Sequence, residues 1–300
     1  MKLFGIQTFG VRGVADGSYS FANAAGDAAD LVVVTGASGA GKTRLLELLV
    51  AAREALAPTD EGIDEDVLIR RGNRTAKAII AFWLSPDERA IAGTTAAVIE
   101  AELVFGADEP HREDPALVFL LERYAHDDAT PKFEYFSERR RLDVGGGEMD
   151  LGEDRQRRFR TSKSPRKFAF VPGLLAALRL EPARAARFAS TLAALSRACR
   201  YDLTHHRLVS GTRVLGALDE LTGSEADAVL FAATAALIGL SRSIVLVDNP
   251  TVAGIDPQRA LRGLASLGVD NQLIVTTSSA ALATAASGTA VRLVVDSTRF

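Results

Sequence analysis

Residues 36–43 read GASGAGKT, and Leu31-Val32-Val33-Val34-Thr35 stand immediately before them. The apolar, β-branched run reads as a buried strand, and it feeds a phosphate-binding loop of the G-x-x-x-x-G-K-[ST] type. Each fixed residue has a physical task. Gly36, Gly39 and Gly41 turn the backbone without a Cβ clash, so that successive N–H groups of the stretch Gly36, Ala37, Ser38, Gly39, Ala40 and Gly41 point at one anion. Lys42 is a point charge for the β- and γ-phosphates, and the Thr43 hydroxyl is a ligand for Mg²⁺. From Arg44 to Arg53 the chain reads RLLELLVAAR, a helix whose positive N-terminus faces the phosphates.

Around this motif the composition is globular: 47% apolar and 24% charged residues in a chain of 300, enough for one large domain. A net charge of −3 makes no global case for nucleic acid or a membrane. The single cysteine, Cys199, excludes an internal disulfide and fits a reducing compartment. The opening MKLFGIQTFG has no long apolar stretch, and the apolar run Ala232 to Leu240 is too short to span a bilayer. A cytoplasmic protein without membrane spans is expected.

Along the chain, strands are expected at Lys2 to Phe9, Ser18 to Ala22, Thr75 to Leu84, Ala97 to Phe105, Lys132 to Leu142 and Phe168 to Val171. A short helix is expected from Pro115 to Tyr124, and an Ala/Leu/Arg-rich helical stretch from Leu174 to Arg200, broken near Pro182. Ser224 to Ser241 reads as a helix of small apolar residues. The strand Ile244 to Val247 ends in Asp248. A helix from Pro257, a strand at Gln272 to Thr276, a helix from Ala280 and a strand at Val291 to Val295 complete the chain. Strands alternating with helices predict a parallel sheet covered on both faces. The strands of the middle third lack regular intervening helices and read as a separate antiparallel layer.

A phosphate loop needs a second acid for the metal at the end of a neighbouring buried strand, and Asp248 fits that role. Asn249 follows directly, and an amide cannot take a proton from water.

Here the chain resembles the ABC-type ATPases, in particular the soluble branch that includes the SMC and RecF proteins. Gly36 to Thr43 match the family's Walker A motif. Leu221-Thr222-Gly223-Ser224-Glu225 is similar to its signature, commonly LSGGQ or LSGGE, and opens a helix. Ile244 to Asp248 match Walker B, and Asn249-Pro250-Thr251 stand where Glu-Pro-Thr is usual. Gly254-Ile255-Asp256-Pro257 is similar to the D-loop, and Ser278 occupies the place of the switch His. Phe9-Gly10-Val11-Arg12-Gly13 resembles the N-F-R-G stretch, whose Arg reaches bound phosphate. The resemblance implies an α/β P-loop NTPase with an ABC-type head: a mostly parallel core sheet flanked by helices, an antiparallel β layer and a helical subdomain carrying the signature. One domain over residues 1–300 is implied. Residues 1–56 with 243–300 form the nucleotide core, 57–167 the antiparallel layer with insertions, and 168–242 the helical region. The strand at 168–171 stands where the family's Q-loop would follow, but Pro172-Gly173 stand there instead, and the sequence assigns the Q-loop no position.

The implied ligands are ATP and Mg²⁺, the metal held by Thr43 and Asp248. The implied assembly is a dimer with itself or a paralogue, the signature acting in trans. With Asn249 and Ser278 at degenerate positions, hydrolysis is expected to be slow; otherwise Glu225 or Asp256 reaches the water. A gated switch, a normally hydrolysing motor subunit and a structural pseudo-ATPase stay open, each working through an effector or partner protein. Seven basic residues lie in the segment Arg155–Lys167 without an acid among them, preceded by Arg139, Arg140 and Arg141. They read as a nucleic-acid contact, a solvated insertion or a patch for an acidic partner. His205-His206 read as solvated or capping residues.

Overall fold

In a computed structural model of the chain, the residues described are 1–58, 64–106, 111–124, 132–142, 159–196, 199–221, 223–251, 256–286 and 290–295. The strands in chain order are β1 (Lys2–Phe9), β2 (Gly17–Ser20), β3 (Leu31–Thr35), β4 (Ala76–Trp83), β5 (Val98–Phe105) and β6 (Phe133–Phe136). They continue as β7 (Cys199–Asp202), β8 (Arg207–Ser210), β9 (Arg213–Ala217), β10 (Ile244–Asp248), β11 (Gln272–Thr277) and β12 (Val291–Val294). They form three sheets, ordered β2-β1-β4-β5, β12-β3-β11-β10-β6 and β7-β8-β9.

The central five-stranded sheet is parallel throughout. Its inner strands are apolar at nearly every position because both faces are covered. Val32, Val34, Ile244, Leu246 and Ile274 enter one core, together with the antiparallel sheet and the helices Lys42–Leu56 and Pro115–Arg123. Their neighbours Val33, Val245, Val247, Leu273 and Val275 enter a second core, filled by the helices of the second half of the chain. Period-2 alternation thus sends consecutive side chains to opposite layers. A fully buried side chain such as Leu246 contributes about 2–5 kcal/mol against truncation to Ala.

The antiparallel sheet shows one-sided alternation. Ala76, Ala78, Ile80 and Phe82 of β4 are buried, and the residues between them are half-buried. Gln272, fully buried at the start of β11, clasps this sheet to the central one. Its Oε1 accepts from the Leu3 N–H at 2.7 Å, and its Nε2 donates to the carbonyls of Leu3 and Ala29 at 2.8 and 2.9 Å.

The structure corrects four expectations. β1 and β2 lie in the antiparallel sheet rather than in the nucleotide core. The strand read at 132–142 is short, and β6 pairs in parallel with β10 instead of joining the antiparallel layer. Phe168 to Val171 is not a strand. Ser164 caps a 3₁₀ turn over Pro165–Phe168, and Pro172 sits in the first turn of the helix Val171–Ala177, where a missing N–H costs nothing. The helix Pro182–Leu195 ends before Arg200, and a small antiparallel sheet, β7-β8-β9, stands inside the region read as helical. Among the described residues no helix is long and apolar enough to cross a membrane.

Candidate functional site

The loop after β3 is shaped by close backbone approach. Gly41 has φ +94°, and a Cβ there would stand 1.8 Å from the Gly13 carbonyl oxygen. A Cβ on Gly36 would stand 2.4 Å from the Val295 carbonyl oxygen. Only glycine fits either place. The helix Lys42–Leu56 starts at once, its first turn open toward the loop. Lys42 folds over the loop and donates to the carbonyls of Gly36 at 3.0 Å and Ala37 at 2.8 Å.

This loop floors a cleft of ≈ 380 Å³. Ser38 to Arg44 line its base, Arg12 and Gly13 one side, and Glu138, Asp248, Asn249, Thr276 and Ser278 the other. The acidic wall is the row of carboxyl ends of β6, β10 and β11, the usual ligand crevice of an open α/β sheet.

Asp248 is the centre of that wall. Its Oδ1 accepts from the Thr43 hydroxyl at 3.1 Å and from the Thr276 hydroxyl at 2.5 Å. The residue is 1% exposed, and Oδ2 has no hydrogen-bond partner among the described residues. Burial pushes its pKa up, and the Glu138 charge adds to this against the two hydroxyl bonds. A buried carboxylate with one orphaned oxygen beside a threonine hydroxyl is the donor set a hard divalent cation takes. The residues present therefore fit Mg²⁺.

Asn249 adopts φ +45°, which Asn tolerates better than most residues. Its N–H reaches the Thr276 carbonyl at 3.1 Å, and its side-chain Nδ2 donates to Glu138 Oε1 at 3.0 Å. Sequence reasoning missed Glu138. It is placed here because β6 runs beside β10 with Phe136 opposite Val247, so residue 138 comes level with residue 249. The segment that leaves the strand next to β10 is therefore Ser137-Glu138, not Pro172-Gly173. No local motif marks Glu138; its signal is the pairing of β6, which is non-local.

Next to this wall Arg140 is buried. It forms a two-pronged pair with Asp227 of the helix Gly223–Leu237, at 2.8 and 2.6 Å, and donates to the carbonyls of Asp248 at 2.6 Å and Asn249 at 3.1 Å. Asp227 also accepts from the Thr251 N–H at 2.8 Å.

The signature-like residues do not line the cleft. Leu221 is buried in the second core. Gly223 is exposed at φ +57° at the head of its helix, and Ser224 and Glu225 are half-buried there. Thr222 lies outside the described residues, as do Gly254 and Ile255 of the D-loop stretch. Asp256 caps the helix Pro257–Ala265 by accepting from the Arg259 N–H at 3.0 Å. Neither Glu225 nor Asp256 lines the cleft, and among the described residues Glu138 is the carboxylate bonded to the Asn249 side chain.

The basic run is partly interior. Lys167 is 1% exposed, pairs with the buried Glu134 and donates to the carbonyls of Tyr135 and Arg160 at 2.7 and 2.6 Å. Arg160 is also buried, as is Arg140. These three are withdrawn from any outer patch, because a buried cation must be paired. Lys163 pairs with Glu47 at 2.9 Å, and Arg166 is exposed. Arg155, Arg157 and Arg158 lie outside the described residues. His205 contacts Asp202 at 2.8 Å, a bond that holds the Asp202 carboxyl down at about 2. Among the described residues no group of three His, Cys, Asp or Glu could hold a metal.

No protein-family model matches the sequence, and no curated protein does. Solved structures match over nearly the whole chain. An SMC head bound to the C-terminal winged-helix domain of ScpA aligns with a TM-score of 0.55 at 12% identity, covering 95% of this chain and 92% of that one. The SMC head domain from Thermotoga maritima aligns with a TM-score of 0.53 at 13% identity, covering 96% and 93%. The chain shares the fold of these SMC head domains. Within this SMC-head fold the cleft of Lys42 and Asp248 stands at the carboxyl ends of the parallel strands, and the helix Gly223–Leu237 stands apart from the cleft, joined to its acidic wall through Arg140.

Proposed function

We propose that the chain is an ATP-gated switch: two heads close on Mg²⁺-ATP, hydrolyse it slowly, and control a partner protein. The observation that carries this reading is Asp248, bonded to the Thr43 hydroxyl of the phosphate loop and left with an orphaned buried oxygen. Thr43 and Asp248 would hold Mg²⁺, which when bound neutralises charge across the β- and γ-phosphates. The N–H groups from Ala37 to Arg44 would cradle the phosphates. Lys42 would exchange its bonds to the Gly36 and Ala37 carbonyls for phosphate oxygens, and Arg12 would approach from the opposite side. Asn249 and Ser278 can hydrogen-bond to a water or phosphate but are poor bases near neutral pH. Slow turnover and a long-lived closed state follow.

The signature residues belong to the same reading. Gly223 and its neighbours are outside their own cleft and would complete the cleft of a second copy or a paralogue. The matched SMC head bound to part of ScpA supports a role exerted through a partner protein. A cytoplasmic location belongs to the proposal. Nucleic-acid contact through Arg155–Lys167 has less support once Arg160 and Lys167 are interior.

Lys42→Ala tests the assignment. Calorimetry with ATP and Mg²⁺ should show affinity falling by about 100-fold or more, since loop amides alone leave the triphosphate charge unbalanced (roughly 2.7 kcal/mol). Unchanged affinity in that variant overturns the proposal.

A further inference from the structure

Among the described residues two carboxylates, Asp248 and Glu138, line the cleft, and their surroundings differ. Asp248 is buried and bonded to Thr43 and Thr276, and in the reading above it would hold Mg²⁺ with Thr43. Glu138 is exposed to the cleft, and its one hydrogen bond among the described residues comes from Asn249 Nδ2 at 3.0 Å. A carboxylate only accepts, so the amide must present its N–H₂ group to Glu138, and Asn249 Oδ1 is left to accept from a water. The two residues form one unit across the ends of adjacent strands β6 and β10, on the cleft wall facing Lys42.

We infer that Glu138 is the catalytic carboxylate of this site, with Asn249 as its positioning residue. This rests on reading the cleft as an ATP site, and it assigns whatever turnover the site carries out. Water held by the Glu138 carboxylate and the Asn249 carbonyl attacks the γ-phosphorus. A bond forms from the water oxygen to phosphorus as the bond from phosphorus to the β–γ bridging oxygen breaks. The proton of the water passes to Glu138, ADP leaves with the bridging oxygen, and Glu138 returns the proton to solvent with the release of inorganic phosphate. Removing a general base of this kind costs roughly 10²–10⁴-fold in rate.

The test uses the full chain with Mg²⁺-ATP, measuring affinity by calorimetry and single-turnover hydrolysis against pH. The unaltered protein should turn over slowly with an acid limb in its pH profile. Glu138→Gln should keep nucleotide affinity within about twofold and lose at least about 100-fold in rate, together with the acid limb. Asn249→Ala removes the amide that holds the Glu138 carboxylate, so the single-turnover rate should fall about tenfold or more with nucleotide affinity unchanged, and the same change should cost little further in the Glu138→Gln background. A merely structural role for Asn249 would lower the rate equally in both backgrounds. The inference is overturned if Glu138→Gln hydrolyses like the unaltered chain, if the unaltered chain binds Mg²⁺-ATP without turnover, or if Glu138→Gln loses affinity and so marks Glu138 as a binding residue. Failure of the unaltered chain to bind ATP overturns the ATP-site reading itself, a separate outcome.

Discussion

Asp248 carries a conflict between stability and binding. Burial is the largest influence on it and raises its pKa; the Thr276 and Thr43 hydroxyls oppose this, and Glu138 reinforces it. The folded chain therefore holds this proton more tightly than the unfolded chain. Stability from the protonated form is present below the ordinary carboxylate pKa and is lost as pH rises through the folded value. At neutral pH an ionised Asp248 weakens the nucleotide-free fold. Asp248→Asn should raise the nucleotide-free melting temperature at pH 7 and give no such gain near pH 3, because the native residue is then protonated too. The same variant should lose about tenfold or more of its Mg²⁺-dependent ATP affinity. Melting curves at both pH values, with calorimetry with and without Mg²⁺, check both halves. A variant that is no more stable at pH 7 contradicts the argument from burial.

Among the elements, Arg140 ties the end of β6 to the end of β10 and to the helix Gly223–Leu237. Its guanidinium also lies 5.4 Å from the Phe231 ring centre. Removing one partner of a buried ion pair strands the other charge, at a cost of about 3–5 kcal/mol, whereas replacing both by apolar groups is often neutral. Arg140→Ala should therefore lower the urea midpoint strongly, and Arg140→Met with Asp227→Leu should recover much of the loss. Equal destabilisation by the single and double variants would mean that the carbonyl bonds of Arg140, not the ion pair, hold this junction. The pair is also a direct physical link between the cleft wall and the helix Gly223–Leu237.

For the whole molecule, the proposed function predicts assembly. The exposed Gly223 backbone stands at φ +57° and a Cβ added there would find ordinary space, 3.7 Å from Thr251 Cγ2. A large side chain is thus resisted by the left-handed backbone and, under the proposed closure, by the opposing copy. Sedimentation with excess Mg²⁺-ATP should show a dimer, of this chain alone or with a paralogue. Gly223→Trp should weaken that dimer at least about tenfold and leave monomer nucleotide affinity unchanged. A chain monomeric under these conditions, with and without its partner, removes the trans role of the signature.

Local sequence determined the phosphate loop, the helix after it and the inner strands β3, β10 and β11, because each is written within a few residues: glycines where a Cβ would strike a carbonyl, and unbroken apolar runs where both faces are covered. It also determined that Lys132 to Leu142 contains a strand. Which sheet that strand joins was decided only in three dimensions, since alternation fixes the face of a side chain and not the neighbouring strand. With β6 beside β10, Glu138 arrived at Asn249 and Arg140 reached Asp227. The same packing drew Lys167 inward to Glu134, so that a run legible as a basic surface became partly core. Charge counts along a chain cannot foresee this, because burial of a cation depends on a carboxylate more than thirty positions away being brought to meet it.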